Sequence, residues 1–206
     1  MAKQYWLMKS EPDSFSIADL ERVRVEPWSG VRNYMARANM RKMQIGDEVL
    51  FHHSSVDPPG VAGLARVVHT NVVDETQFNP ESQYYDPKAT REKPVWDCVD
   101  VEYVTTLPNF VPIERMRGDP VLVDMLLLKR GMRLSVQPIT ESEYTRVVAL
   151  SETSWEPPPK PPKPPKPKQP KQPKPKRLAK KQPAKRAKKS AKPANKSAKR
   201  PARRKR

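Results

Sequence analysis

Residues 48–73 read EVLFHHSSVDPPGVAGLARVVHTNVV, and this stretch decides the fold class. Val49, Leu50 and Phe51 open a short aromatic and β-branched run, and Asp57-Pro58-Pro59-Gly60 interrupts it with a tight-turn composition. Val61 to Val73 then supplies a second, longer run rich in valine, with Gly63 placed to mark a bulge. Two such runs around one turn predict a β-hairpin from about Glu48 to Val73.

Working toward the N-terminus, Gly46-Asp47 ends a helical pattern from Asn33 to Met43, in which Tyr34, Met35, Ala38, Met40 and Met43 recur with Arg32, Arg37, Arg41 and Lys42 between them. Glu26-Pro27-Trp28-Ser29-Gly30 breaks the chain before that helix. Ser16 with Asp19 forms a capping box, predicting a helix from about Ile17 to Val23, and Gln4 to Met8 reads as a first strand closed by the turn Ser10-Glu11-Pro12-Asp13. Toward the C-terminus, Glu75 to Pro94 has no clear period and is expected to be a long loop, with Tyr84, Tyr85 and Asp86 available to cover a ligand. Val95 to Val104 alternates like a half-buried strand, in which Cys98 is expected to be a small buried residue. A helical turn at Ile113 to Arg117, an apolar helix at about Val121 to Lys129, a strand at Arg133 to Gln137 and a closing helix capped by Thr140 and Glu143 complete the pattern. The expected class is α+β: a mixed, mostly antiparallel sheet of five or six strands, curled into a small barrel, with helices at its rim.

Charge divides the chain. Of its 40 Lys and Arg, 22 lie in residues 157–206, where no Asp or Glu occurs; residues 1–156 therefore carry 18 basic against 23 acidic residues, a formal −5 within a total of +17. The same final segment holds 14 of the 25 prolines and, beyond Trp155, no apolar side chain larger than Ala except Leu178. Such a composition cannot bury enough surface to offset roughly 1–2 kcal/mol of ordering entropy per residue. A folded domain over residues 1–152 and a disordered, basic Lys/Pro/Ala tail over residues 153–206 are expected. A single cysteine excludes an intramolecular disulfide or a Cys-based zinc cluster, and His52, His53 and His69 lack metal-site spacing, so neither metal nor cofactor is expected. Tyr5-Trp6-Leu7-Met8 is far short of the about 20 apolar residues of a membrane span, and an unexported protein without membrane attachment is expected.

Three clusters at element ends have the composition of a site: Trp6 to Pro12, Trp28 to Tyr34, and Phe51 to Ser55. An indole face stacks on a planar heterocycle, and an Asn side chain offers a paired donor and acceptor to a base edge. The plainer interpretation is that a Trp and a Tyr beside a turn pack a core, and Trp6 and Trp96 are assigned to core. His53 next to Ser54 has the elements of a base and a nucleophile, but no nearby Asp or Glu orients the ring, and catalysis is not expected there.

Taken together, Tyr5 to Pro12, Trp28 with Gly30-Val31-Arg32-Asn33-Tyr34 and Ala36-Arg37, Gly46-Asp47, His53-Ser54, Gly60 to Gly63 and Arg133 to Pro138 resemble the EVE domain over about residues 4–151. The resemblance implies a PUA-like pseudo-barrel, related to the YTH domain, that recognises modified bases in DNA or RNA. It implies a base pocket walled by Trp28, with Ser10, Asn33 and Ser54 donating or accepting hydrogen bonds, Tyr34 and His53 beside them, and Arg133 and Ser135 from the last strand nearby. Arg32, Arg37, Arg41 and Lys42 are then candidates for phosphate contacts, against the alternative that they form a solvated helix face. Met35 and His52 stand where relatives often carry Gln and an aromatic residue.

The function expected is a non-catalytic, monomeric reader of a flipped modified base, held to DNA or RNA by a tail whose phosphate contacts are independent of sequence. A nucleoid- or chromatin-compacting protein and an enzyme acting on modified bases are the alternatives. The expected location is the cytoplasm or nucleoid in a bacterium and the nucleus in a eukaryote.

Overall fold

The computed structural model describes residues 3–156. The basic tail expected beyond them lies outside the described residues. In order, the elements are β1 (Tyr5–Ser10), α1 (Ile17–Val23), β2 (Val25–Pro27), α2 (Tyr34–Met40), β3 (Glu48–His53), β4 (Gly60–Val73), β5 (Asp97–Pro112), α3 (Ile113–Arg117), β6 (Val136–Ile139) and α4 (Glu141–Ser151), with 3-10 turns at Glu75–Phe78 and Leu126–Leu128.

The predicted hairpin is β3–β4, antiparallel, with its register slipping at Ala62 so that Phe51 faces Gly63 and His52 faces Val61. Gly63 is required there because a Cβ would stand 2.5 Å from the Ile17 side chain of α1. All six strands form one sheet in the order β2-β5-β4-β3-β1-β6, in which only β1–β3 is parallel. The class expected from sequence is the class observed.

Alternation along β1 and β3 sorts two cores onto the two sheet faces. Trp6, Met8, Val49 and Phe51 join Leu20 of α1 and Ala36 and Met40 of α2 on one face. Leu7 and Leu50 join Met116 of α3, Leu122, Met125 and Val147 of α4 on the other. Because both faces are covered, these strands read as unbroken apolar runs. Each fully buried Leu, Met or Phe contributes about 1.5–3 kcal/mol.

Both capping boxes are present: Ser16 and Asp19 start α1, and Thr140 and Glu143 start α4. The sheet's hydrogen bonding leaves β2 and β6 as edges, and α2 spans the opening between β6 and the β5 start. Asn39 Nδ2 donates to the Val136 carbonyl of β6, while Arg37 and Arg41 donate to Asp97, the first residue of β5.

Several expectations require correction. Residues 121–129 form turns and a short 3-10 segment instead of a helix: Leu122, Met125 and Leu127 are buried while Val121 and Val123 face solvent, a pattern the loop's turns satisfy without a continuous helical face. The last strand starts at Val136, so Arg133 and Ser135 lie in the segment before it. α2 ends at Met40, where its last turn gives way to the approach to Gly46. The strand β2 passed unforeseen because it is three residues long. β5 runs eight residues beyond Val104, through Pro108; Leu107 to Phe110 fall between the pairs Gly63–Thr106 and Val61–Val111, so the proline interrupts no ladder bond. Arg115 donates to the carbonyl and hydroxyl of Thr153.

Candidate nucleic-acid interface

A cavity of about 650 Å³ opens where the C-terminal end of β1, the segment after β2 and the Glu75–Pro94 loop converge. Trp28 lines it although only 7% of the residue is exposed, because Phe51 holds the indole edge-on at 5.4 Å and the Trp28 backbone N–H donates to the Val99 carbonyl. Gly30 follows with φ +79°, and a Cβ there would stand 2.7 Å from the Tyr84 ring. Both facts require glycine at this turn.

Arg32 clamps the long loop across the cavity. Its Nη1 donates to Asp74 Oδ2 at 2.7 Å, Nη2 to Thr76 Oγ1 and Nε to the Tyr84 carbonyl, and the guanidinium lies over the Tyr84 and Trp96 rings. Asp74, 2% exposed, also accepts the Gly30 N–H. Burial would raise the Asp74 carboxyl, but its bonds from Arg32, Thr76 and Gly30 bring it below the usual carboxylate range. Arg32 thereby ties Tyr84 into the cavity wall. Of the loop residues expected over a ligand, Tyr84 lines the cavity, whereas Asp86 accepts from the Trp96 indole and Tyr85 is exposed.

Of the eight residues expected in the base pocket, Trp28, Ser10 and Ser135 line this cavity. The Ser10 hydroxyl donates to the Phe15 carbonyl, so toward a ligand it presents lone pairs. The others sit elsewhere. Asn33 Oδ1 accepts from the N–H groups of Met35 and Ala36 as the N-cap of α2. Tyr34 stacks on Trp96 at 4.8 Å, largely exposed. His53 Nε2 accepts the Ile17 N–H at the start of α1, and burial lowers its pKa. Ser54 donates twice to the Ser10 carbonyl, and both Ser54 and Arg133 line a different cavity. The candidate phosphate residues are internally engaged: Arg32 on Asp74, and Arg37 and Arg41 both on Asp97. Lys42 is exposed.

Glu11, Ser14, Glu26, Ser29 and Gln83 complete the cavity's polar lining and were not among the residues expected in the pocket. The Trp-Ser-Gly turn was the signal available for Ser29; nothing local marks Gln83, which arrives with Tyr84. Among the described residues there is no group of three His, Cys, Asp or Glu placed to hold a metal ion, and no helix is long and apolar enough to cross a membrane.

An aromatic-walled cavity with a polar rim, at one end of a mixed sheet whose open side is bridged by a helix, is the site of a small binding domain. The chain belongs to the EVE domain family, whose match covers residues 4–150. It is 40% identical over 169 residues to mouse thymocyte nuclear protein 1, covering 72% of this chain and 74% of that protein. Its structure is similar to that of a hypothetical protein from Leishmania major, with TM-score 0.71 and 46% identity over 73% of this chain and 96% of that one. It is also similar to human THYN1 protein in complex with 5-methylcytosine containing DNA, with TM-score 0.68 and 38% identity over 74% of this chain and 99% of that one.

Proposed function

We propose that this protein is a non-catalytic reader of a modified base, with 5-methylcytosine in DNA as the first candidate. The observation that carries the reading is the preformed cavity beside Trp28, fixed by the Arg32–Asp74 clamp, in a chain whose human relative was crystallised with 5-methylcytosine containing DNA. A nucleotide leaving its stack costs a few kcal/mol, regained by stacking and edge contacts inside such a cavity. Trp28 and Tyr84 provide aromatic surface, and Ser10, Ser29 and Ser135 provide polar atoms. The absence of catalysis is supported by His53, whose Nε2 is committed to α1, and by Cys98, whose thiol burial and neighbouring carboxylates push up to about 12. Residues 157–206, with 22 Lys and Arg and no acid, supply attraction to any phosphate backbone.

Fluorescence anisotropy with oligonucleotides differing by a single cytosine methyl group tests this reading. The full chain is expected to prefer the methylated strand, and Trp28→Ala to erase the preference while leaving the salt-dependent background of the tail. Equal affinity for both strands would refute the reader assignment. If deleting residues 157–206 abolished all binding and no preference existed before deletion, compaction by the tail would be the better description.

A further inference from the structure

A second cavity, of about 610 Å³, shares Lys9 with the first. Its wall includes Lys9, Arg117, Lys129, Arg130 and Arg133, and no Asp or Glu. Among the described residues, Arg117, Arg130 and Arg133 form no ion pair, in contrast to Arg32, Arg37 and Arg41. Lys129 pairs with exposed Asp124 outside the cavity lining. Lys9 reaches only the Met132 carbonyl, at 3.4 Å, and burial lowers its pKa. With Lys129 paired, the remaining four cations leave the recess with a positive potential that favours an anion.

His52 is the independent observation. It lines this cavity, is 2% exposed, and neither ring nitrogen has a hydrogen-bond partner on another residue. A buried polar group is ordinarily satisfied, and an orphan one is stabilised by whatever ligand supplies the missing acceptor. Neutral imidazole carries one N–H, which donates to an anion's oxygen. Guanidinium groups around it match phosphate, whose oxygens accept several charge-assisted bonds at once.

We propose that this second cavity takes a backbone phosphate of the same strand whose base enters the cavity at Trp28. It rests on the reading above for the strand's path, because Lys9 lies between the two sites and the Ser54–Ser10 bonds tie their rims together. Three guanidinium groups scattered over residues 117–133 thereby supply the phosphate contact that the ion-paired arginines of residues 32–41 do not.

The test uses the full chain and duplexes carrying one 5-methylcytosine, in which each flanking phosphate in turn is replaced by a neutral methylphosphonate. One position is expected to weaken wild-type binding about tenfold, the size of a lost hydrogen bond to a charged group. The same replacement is expected to leave Arg117→Ala/Arg130→Ala unaffected, and likewise His52→Phe, which removes the N–H while retaining a ring. No sensitive position, or equal sensitivity in wild type and both variants, would overturn the proposal. A saturable thermal shift with inorganic phosphate, lost in the double variant, together with no sensitive backbone position, would assign the cavity to free phosphate and overturn the backbone assignment. The ratio of methylated to unmethylated affinity is read separately: a wild-type ratio of one alongside a sensitive phosphate sinks the base reading and retains the phosphate site.

Discussion

The cavity at Trp28 and the cavity at His52 share Lys9 and differ in how their charges are handled. In the first, Lys9 and Arg32 stand against Glu11 and Glu26, and Arg32 is bound to Asp74. In the second, no acid lines the wall, four of the five cations form no ion pair among the described residues, and a buried imidazole lacks a hydrogen-bond partner on any other residue. The first has its buried arginine paired internally, and the second leaves a buried imidazole without a partner on another residue, the ground for the anion proposed there. On the proposed function, selectivity and electrostatic grip fall to adjacent but separate places.

The largest change that breaks this contrast is Trp28→Ala. It empties a buried site packed on Phe51 and is expected to cost about 3–5 kcal/mol in urea unfolding, with base preference lost at temperatures where the variant remains folded. Asp74→Ala comes next. It leaves Arg32 uncompensated and the loop bearing Tyr84 undocked, with an expected loss of about 3 kcal/mol and lowered discrimination without any change in the tail's salt-dependent binding.

Acid sharpens the contrast from the other side. Burial, aided by the charges of Lys9 and His53, pushes the His52 imidazole down to about 3 from an ordinary value of 6.5. Below pH 6.5 the unfolded chain takes up a proton that the folded chain refuses, so stability complete above pH 6.5 is lost as pH falls toward 3. The slope is about 1.4 kcal/mol per pH unit, or roughly 2 kcal/mol by pH 5. His52→Phe is expected to remove that part of the slope in urea midpoints compared at pH 7.5 and 5, whereas the His53 contribution, of the same sign, persists. The smallest effect belongs to Arg41→Ala. Its side chain is half exposed and Arg37 still holds Asp97, so a loss below about 1 kcal/mol is expected in the same assay.

Much of the fold was legible because it is written in short-range patterns. Ser16 and Asp19, Thr140 and Glu143, and the Asp57-Pro58-Pro59-Gly60 turn act over a few positions, and α1 and α3 fall where spacing placed them. The site was legible only in part. Trp28, Ser10 and Ser135 line one cavity, whereas Asn33 Oδ1 caps α2, a use that its place directly before the α2 pattern allowed.

By itself, then, the chain's sequence determined the α+β class, the hairpin, the helix starts, its family resemblance and the charge split between residues 1–156, at −5, and the basic residues 157–206. Which arginines remain free was decided by tertiary structure. Arg32 meets Asp74 across 42 positions and Arg37 meets Asp97 across 60, whereas Arg117, Arg130 and Arg133 meet one recess and no carboxylate. The reason is physical: a cap or turn is built from neighbours along the chain, but a charge is cancelled by whichever group sheet register and loop closure bring within about 4 Å of it.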